Sequence, residues 1–267
     1  ILRLNFPFYI AQRYVRSKSS QNAVNIINFI TFLVIVIGSA ALFVVLSGFA
    51  GLKTFSLSFS NTVDPDLKAQ PATGKFFNVS PNQEAQLHNI NGIASYSKEL
   101  EERVYLTHSQ KSHVAYIKGV DHNYGNVTSM DSTIYFGNWE LDQQHGVIGI
   151  GIANLLGLST NNYINPLIVL APKPGKGSIS QQSLRNKPYN QLELVVSGIY
   201  YIEENLDKKY VFSELSLVQA LLEKDSTQVS GINFRLDETV DVLQTREAIE
   251  NVFPNSIILK DRRELNS

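Results

Sequence analysis

The strongest pattern along the chain is an apolar run near its N-terminus. Between Lys18 and Lys53 lie 34 consecutive positions without a charged residue. The centre of the run, residues 29–46, is almost wholly apolar, and about 20 such residues suffice for a helix to cross a hydrocarbon core. A cleaved signal peptide would have a shorter apolar region ending at small residues. Ser39, Ala40 and Ala41 offer such a site, but Leu42, Phe43, Val44, Val45 and Leu46 carry the apolar run past it. Beyond the run, Phe49, Leu52, Phe55 and Phe59 recur at three- and four-residue steps among serines. That helical stripe predicts a stalk ending near Asp64 and Pro65, because the residue before proline disfavours helical backbone. The pattern predicts a transmembrane helix and stalk over residues 23–62.

From residue 63 onward the periods shorten and alternate, predicting an α+β body. Strands are expected at 66–70 and 75–79, then a helix entered through Ser80 and Pro81 and stopping at Asn91 and Gly92. Two long strands, 93–107 and 112–120, are joined by a turn at 108–111. The middle is strand-rich (133–136, 146–150, 164–171, 192–201), with a short helix at 152–156 capped by Gly157. The last part reads as strand 210–212, helix 213–223 with Ser213 as its N-cap, strand 229–236, helix 239–253 and strand 256–260. The pattern suggests one α+β lobe built from 63–118 and 206–262, with a β-rich lobe inserted at 119–205.

Charge adds an orientation. Residues 1–22 carry Arg3, Arg13, Arg16 and Lys18 and no acid, which leaves 19 basic against 24 acidic residues in the rest. The positive-inside rule places residues 1–22 in the cytoplasm and the body outside. Phe6, Phe8, Tyr9, Ile10 and Tyr14 among Arg13 and Arg16 suit a headgroup-level segment, where aromatics anchor and basic chains snorkel. A basic head on a mildly acidic body argues against a nucleic-acid surface. The small residues Gly38, Ala41 and Ser47 are candidates for packing against other membrane helices. Residues 172–189 form a loop longer than two adjacent strands need. Pro172, Lys173, Pro174, Lys176, Arg185, Lys187 and Pro188 make it basic and stiff, a candidate arm for an acidic partner.

Chemistry is sparse. Cysteine is absent, which removes disulfides and thiolate zinc sites. Gly175-Lys176-Gly177-Ser178 and Gly74-Lys75-Phe76 lack the spacing of a phosphate-binding loop. His108 and His113 lie five residues apart across a turn with no acid as third ligand, so no metal or other cofactor is expected. Glu99, Glu101 and Glu102 around Leu100 read as the solvated face of a strand. No nucleophile elbow is present, and the sequence points to no catalysis by this chain.

Six stretches together resemble the permeases of lipoprotein-releasing ABC transporters, within the FtsX-like and MacB-like group. They are YIAQRYVR at 9–16, VVLSGFAGL at 44–52, KGVD at 118–121, VIGIGIANLLGL at 147–158, VVSGI at 195–199 and DKKYVF at 207–212. The resemblance implies a two-lobed periplasmic domain on a bacterial inner-membrane protein, and a cytoplasmic ATPase as a separate subunit. It also implies a second permease subunit, either a copy or a paralogue, lipoprotein as substrate and a soluble periplasmic carrier as recipient. Loop 172–189 falls where the family carries a projecting hook for that carrier. Phe43, Leu46, Phe49 and Leu52 become candidates for acyl-chain contact. Because the family continues into three more membrane helices and this sequence lacks an initiator Met, it is expected to be a fragment. Readings outside that function are a MacB-like efflux permease, an FtsX-like signalling permease, and a single-pass receptor with a ligand-binding outer domain.

Overall fold

The computed structural model describes residues 6–16, 22–173, 188–238 and 240–265. The chain divides into two compact units, Ile1–Leu57 and Ser58–Ser267. The first holds helix α1 (Phe6–Arg16) and most of helix α2 (Asn22–Val63). In α1 Phe6, Phe8, Tyr9 and Ile10 are exposed beside Arg13. Within α2 the stretch Ile26–Leu52 is apolar and long enough to cross a membrane. At 1.5 Å per residue, its 27 residues rise about 40 Å. Two of its hydroxyls bond back within the helix: Thr31 Oγ1 donates to Ile27 O at 2.9 Å, and Ser39 Oγ to Ile35 O at 2.9 Å. The helix stops at Val63, just before Asp64 and Pro65.

The second unit begins with strands β1 (Leu67–Pro71) and β2 (Phe77–Asn78), then helix α3 (Pro81–His88). Ser80 and Gln83 form a reciprocal capping box, and Pro81 opens the helix. Strands β3 (Ile93–His108) and β4 (Lys111–Val120) meet at a two-residue turn, where Ser109 (φ 45°) and Gln110 (φ 68°) are both left-handed. After helix α4 (Tyr124–Thr128) and a 3₁₀ turn come β5 (Ile134–Gly137), β6 (His145–Gly149) and helix α5 (Ile150–Leu156). Gly157, at φ 73°, caps α5 as its position predicts. There follow β7 (Leu167–Pro172), β8 (Tyr189–Tyr200), helix α6 (Glu204–Asp207), β9 (Tyr210–Glu214) and helix α7 (Leu215–Leu221). The unit ends with β10 (Gln228–Val229), β11 (Gly231–Leu236), helix α8 (Val242–Val252), β12 (Ile257–Asp261) and helix α9 (Arg262–Leu265).

Two details depart from the sequence pattern. Ser213 does not cap a helix; β9 continues through it because Ser213 and Glu214 pair with Gly119 and Val120 of β4. Its hydroxyl, buried, donates to His145 O at 3.2 Å. The strand expected at 229–236 is broken at Ser230, which leaves the ladder and donates its backbone N–H to Glu99 O.

The sheet runs β12-β1-β11-β3-β4-β9-β6-β8-β5, and β7 pairs with both β3 and β8. The strands β3-β4-β9-β6-β8-β7 therefore close into a six-stranded barrel, while β12-β1-β11 and the first half of β3 project from it as an arm. Strand β3 belongs to both parts. On one edge it pairs with β11 from Ile93 to Glu99 and with β7 from Tyr105 to Thr107; on the other it pairs with β4 from Glu99 to His108. Each part has its own core. Leu100, Val104, Ile117, Ile148, Val169 and Leu194 fill the barrel. Leu67, Tyr96, Phe234, Leu87 of α3, and Ile249 of α8 form the core of the arm. A third cluster, with Val120, Tyr124, Val147, Tyr200 and Phe212, lies beside the barrel and packs against Val63.

The turn from β6 into α5 needs two glycines, because Gly149 and Gly151 lie directly on the backbone of Asp207. A methyl group on Gly149 would overlap the Asp207 carbonyl oxygen. Gly149→Ala is expected to lower stability by about 1–3 kcal/mol. Gly125→Ala, whose nearest neighbour would sit at 3.6 Å, should leave the melting temperature nearly unchanged. Equal melting temperatures for the two variants would contradict the packing described.

Candidate functional site

Glu99 sits where arm and barrel divide and is buried to 1% exposure, a depth it shares with Asp207. Strand alternation puts Ser97, Glu99 and Glu101 on one face of β3, while Leu100 turns into the barrel core. Register then places Lys68 of β1 opposite Asn233 of β11, and Asn233 opposite Ser97. Lys68 Nζ meets Glu99 Oε1 at 2.6 Å, and Asn233 Nδ2 donates to Glu99 Oε2 at 2.7 Å. From β4, Lys118 Nζ lies 3.6 Å from Glu99 Oε2 and 3.3 Å from Glu101 Oε2. Lys118 also stands over the ring of Tyr210, 4.6 Å from its centroid, an additional favourable site for a cation. Gly231 supplies the remaining space, since a Cβ there would sit 3.2 Å from both Glu99 Oε1 and Lys68 Cε.

The electrostatics follow from this geometry. Burial alone would raise the Glu99 pKa, but the charges of Lys118 and Lys68, with hydrogen bonds from Lys68 and Asn233, hold it down to about 2. Burial likewise acts to lower the pKa of Lys118, but Glu99 raises it well above the ordinary value. Tyr124 and Tyr200 are pushed up chiefly by burial and stay neutral. This face opens on a cavity of about 340 Å³, lined among others by Val63, Lys118, Tyr124, Tyr200, Tyr210 and Leu265. Val63 ends α2 and Leu265 ends α9, so both ends of the second unit border the cavity. Arg262 joins them to β1: Nη2 meets Asp66 Oδ1 at 2.9 Å, and Nε donates to Pro65 O at 3.3 Å. The expected solvated face at Glu99 is thus overturned; Glu99 is enclosed and paired on three sides.

The buried charges satisfy one another, and they form a positioning centre rather than an acid–base pair. Among the described residues no three His, Cys, Asp or Glu side chains gather as for a metal ion. His108 is buried against Pro166 O, and His113 Nε2 bonds Lys208 O at 2.7 Å, so the two histidines do not meet.

The residues singled out from the sequence lie elsewhere. Pro172 and Pro188 flank the long loop, whose base is closed by Lys173 N donating to Pro188 O at 3.0 Å. Pro174, Lys176, Arg185 and Lys187 fall outside the described residues. At the foot of the loop Val114, Tyr105, Leu170, Pro172, Pro188 and Tyr189 line a shallow apolar groove of about 700 Å³. Nothing in the sequence marks that groove, because its members come from four strands. On α2, Phe43, Leu46, Phe49 and Leu52 are all exposed, and no atom approaches where a Gly38 side chain would stand. Gly38 and Ser47 are nine residues apart and project from opposite sides of the helix, so they do not share one face.

Residues 28–252 match the MacB-like periplasmic core domain. The chain belongs to this family. Among curated relatives it is 24% identical, over 264 residues and 97% of its length, to the lipoprotein-releasing system transmembrane protein LolE of Haemophilus influenzae; it spans 61% of that protein. Among solved structures it is similar to the periplasmic region of MacB from Actinobacillus actinomycetemcomitans. The TM-score is 0.53 at 12% identity, over 77% of this chain and 92% of that one. The extracellular domain of the ABC-type transporter YknZ from Gram-positive bacteria gives 0.50 at 12% identity, over 74% and 99%. At these identities the solved structures establish the fold. Within the MacB-like core domain, the stretches 118–121, 147–158, 195–199 and 207–212 converge on one region. Lys118 reaches the charge network, Gly149 rests on Asp207, Ser197 Oγ donates to Glu140 O and Gly146 O, and Asp207 Oδ1 accepts from Ile202 N.

The depressed Glu99 pKa makes a pH prediction. The folded chain releases this proton more readily than the unfolded chain, so the group adds stability above its ordinary value near 4.5. That contribution is lost as pH falls towards about 2. Unfolding midpoints measured across pH 2–6 should fall less steeply in Glu99→Gln than in wild type. Identical slopes would contradict the assignment.

Proposed function

We propose that the protein is the permease subunit of an ABC transporter that extracts lipoproteins from the outer leaflet of the inner membrane and passes them to a periplasmic carrier. The observation that carries this reading is the likeness to LolE, which runs through 97% of the chain and so includes both the apolar helix and the core domain. In this reading residues 1–22 are cytoplasmic and residues 65–267 periplasmic. A separate cytoplasmic ATPase supplies the energy, and the permease works beside a second permease subunit. Phe43, Leu46, Phe49 and Leu52 offer apolar surface to acyl chains at the outer end of the span. Small residues at 38, 41 and 47 pack against partner helices. The basic loop, with Lys173, Lys176, Arg185 and Lys187, docks the carrier through long-range attraction. The chain itself hydrolyses nothing and holds no cofactor.

A MacB-like efflux permease is the second reading, favoured by the fold it shares with the periplasmic region of MacB. A ligand-binding receptor has less support, because Lys68, Glu99, Glu101 and Lys118, which face the 340 Å³ cavity, already pair with one another.

Depletion of the full-length protein in its host, followed by separation of inner and outer membranes, distinguishes these readings. Lipoproteins destined for the outer membrane should accumulate in the inner membrane within a few generations. Unchanged lipoprotein distribution, with heightened sensitivity to small amphiphilic toxins, would overturn lipoprotein release and favour efflux.

A further inference from the structure

We propose that the Glu99 network is a latch that sets the angle between arm and barrel, and that this angle is the movable coordinate of the core domain. Four features of the structure converge on this. The arm and the barrel have separate apolar cores, so neither needs the other to bury its own side chains. Strand β3 is shared by both, and between Glu99 and Tyr105 its edge away from β4 pairs with no strand among the described residues. Open space borders the latch on two sides. One is the cavity of about 340 Å³ bordered by Val63 and Leu265. The other is a groove of about 480 Å³ along the fork, with Gln70, Gly74, Lys75, Arg103, Tyr116 and Ser230. Finally, the latch crosses the fork: Lys68 and Asn233 reach Glu99 from the arm, and Lys118 reaches it from the barrel.

Interdigitated apolar packing resists gradual deformation, whereas a few ionic contacts beside empty space can exchange partners as a unit. Lys118 is placed for such an exchange, since Glu101 Oε2 lies at 3.3 Å, nearer than Glu99 at 3.6 Å. Small changes of arm angle shift Lys118 between the two carboxylates without leaving either cation unpaired, because Lys68 stays with Glu99. The arm also carries both ends of the second unit. β1 follows α2 after three residues, and β12 leads into α9, whose Arg262 is bound to Asp66. Displacement of the segments joined to β1 and β12 therefore reaches the arm directly. Arg235 on β11 reaches Asn126 O and Ser129 Oγ in the α4 region, so the arm has a second support and pivots rather than detaches.

Pair labelling of the full-length protein tests this, helped by the absence of cysteine from these 267 residues. Spin labels at Gln86→Cys on α3 and Asn154→Cys on α5, both exposed, report the arm–barrel distance. Wild type should give one narrow distribution. Glu99→Gln and, separately, Lys68→Gln should each add a second distance outside the wild-type width, with the circular dichroism of the folded protein retained. The double replacement Lys68→Met with Glu99→Leu, which fills the site with apolar groups, should restore a single distance. An unchanged single distance in both single variants would overturn the proposal. So would loss of folded protein in both, because the ions would then hold the fold itself rather than its angle.

Discussion

A carboxylate held ionised at 1% exposure needs cations and donors around it, and Glu99 places that demand on four strands together. β1 must present Lys68, β11 must present Asn233 and leave Gly231 bare, and β4 must present Lys118 braced by Tyr210. A slip of one residue in any of these pairings would turn the partner to the opposite face and leave a buried charge alone. The network therefore fixes register in the part of the sheet where the arm leaves the barrel. Apolar packing alone specifies it less sharply there, since β3 lacks a strand partner on one edge between Glu99 and Tyr105.

Much of the architecture was legible because local rules act on neighbouring residues. The Asp64-Pro65 break, the helix start at Ser80 and Pro81, the Gly157 cap and the hairpin ending at Val120 each depend on a few adjacent positions. The α+β character and the N-terminal apolar helix followed from period and length. The charge network was not legible for the same reason reversed. Glu99, Leu100 and Glu101 alternate as a half-solvated strand does, and what buries Glu99 is Lys68, 31 positions earlier, and Asn233, 134 positions later. No sequence period links those three. Ser213 misled in a related way: it looks like a helix cap, but the parallel pairing of β9 with β4 claims it for the sheet. The closure of six strands into a barrel depends on β7 returning to β3, a long-range pairing that local alternation does not encode.

The same distinction separates the parts of the candidate site. Membership of the MacB-like core domain family accounts for the fold of the second unit. It does not by itself choose the cargo. What the second unit provides physically is a pair of separately cored bodies that share strand β3 and are bridged by the Glu99 cluster, with Arg235 as a further contact. That is a scaffold suited to transmitting displacement. The groove between Tyr105, Val114, Leu170 and Tyr189 and the apolar surface of α2 are exposed in the structure.

The central claim is that Glu99 and Lys118 are energetically coupled across the fork, and a double-mutant cycle measures that coupling most directly. Glu99→Gln, Lys118→Met and the double variant would be compared with wild type by chemical unfolding of the purified protein in detergent. The structure predicts that the two substitutions are non-additive by about 0.5–3 kcal/mol, the range for charged groups within one network. Effects that add to within about 0.5 kcal/mol would contradict it, and would mean that the two charges share a neighbourhood without holding arm and barrel together.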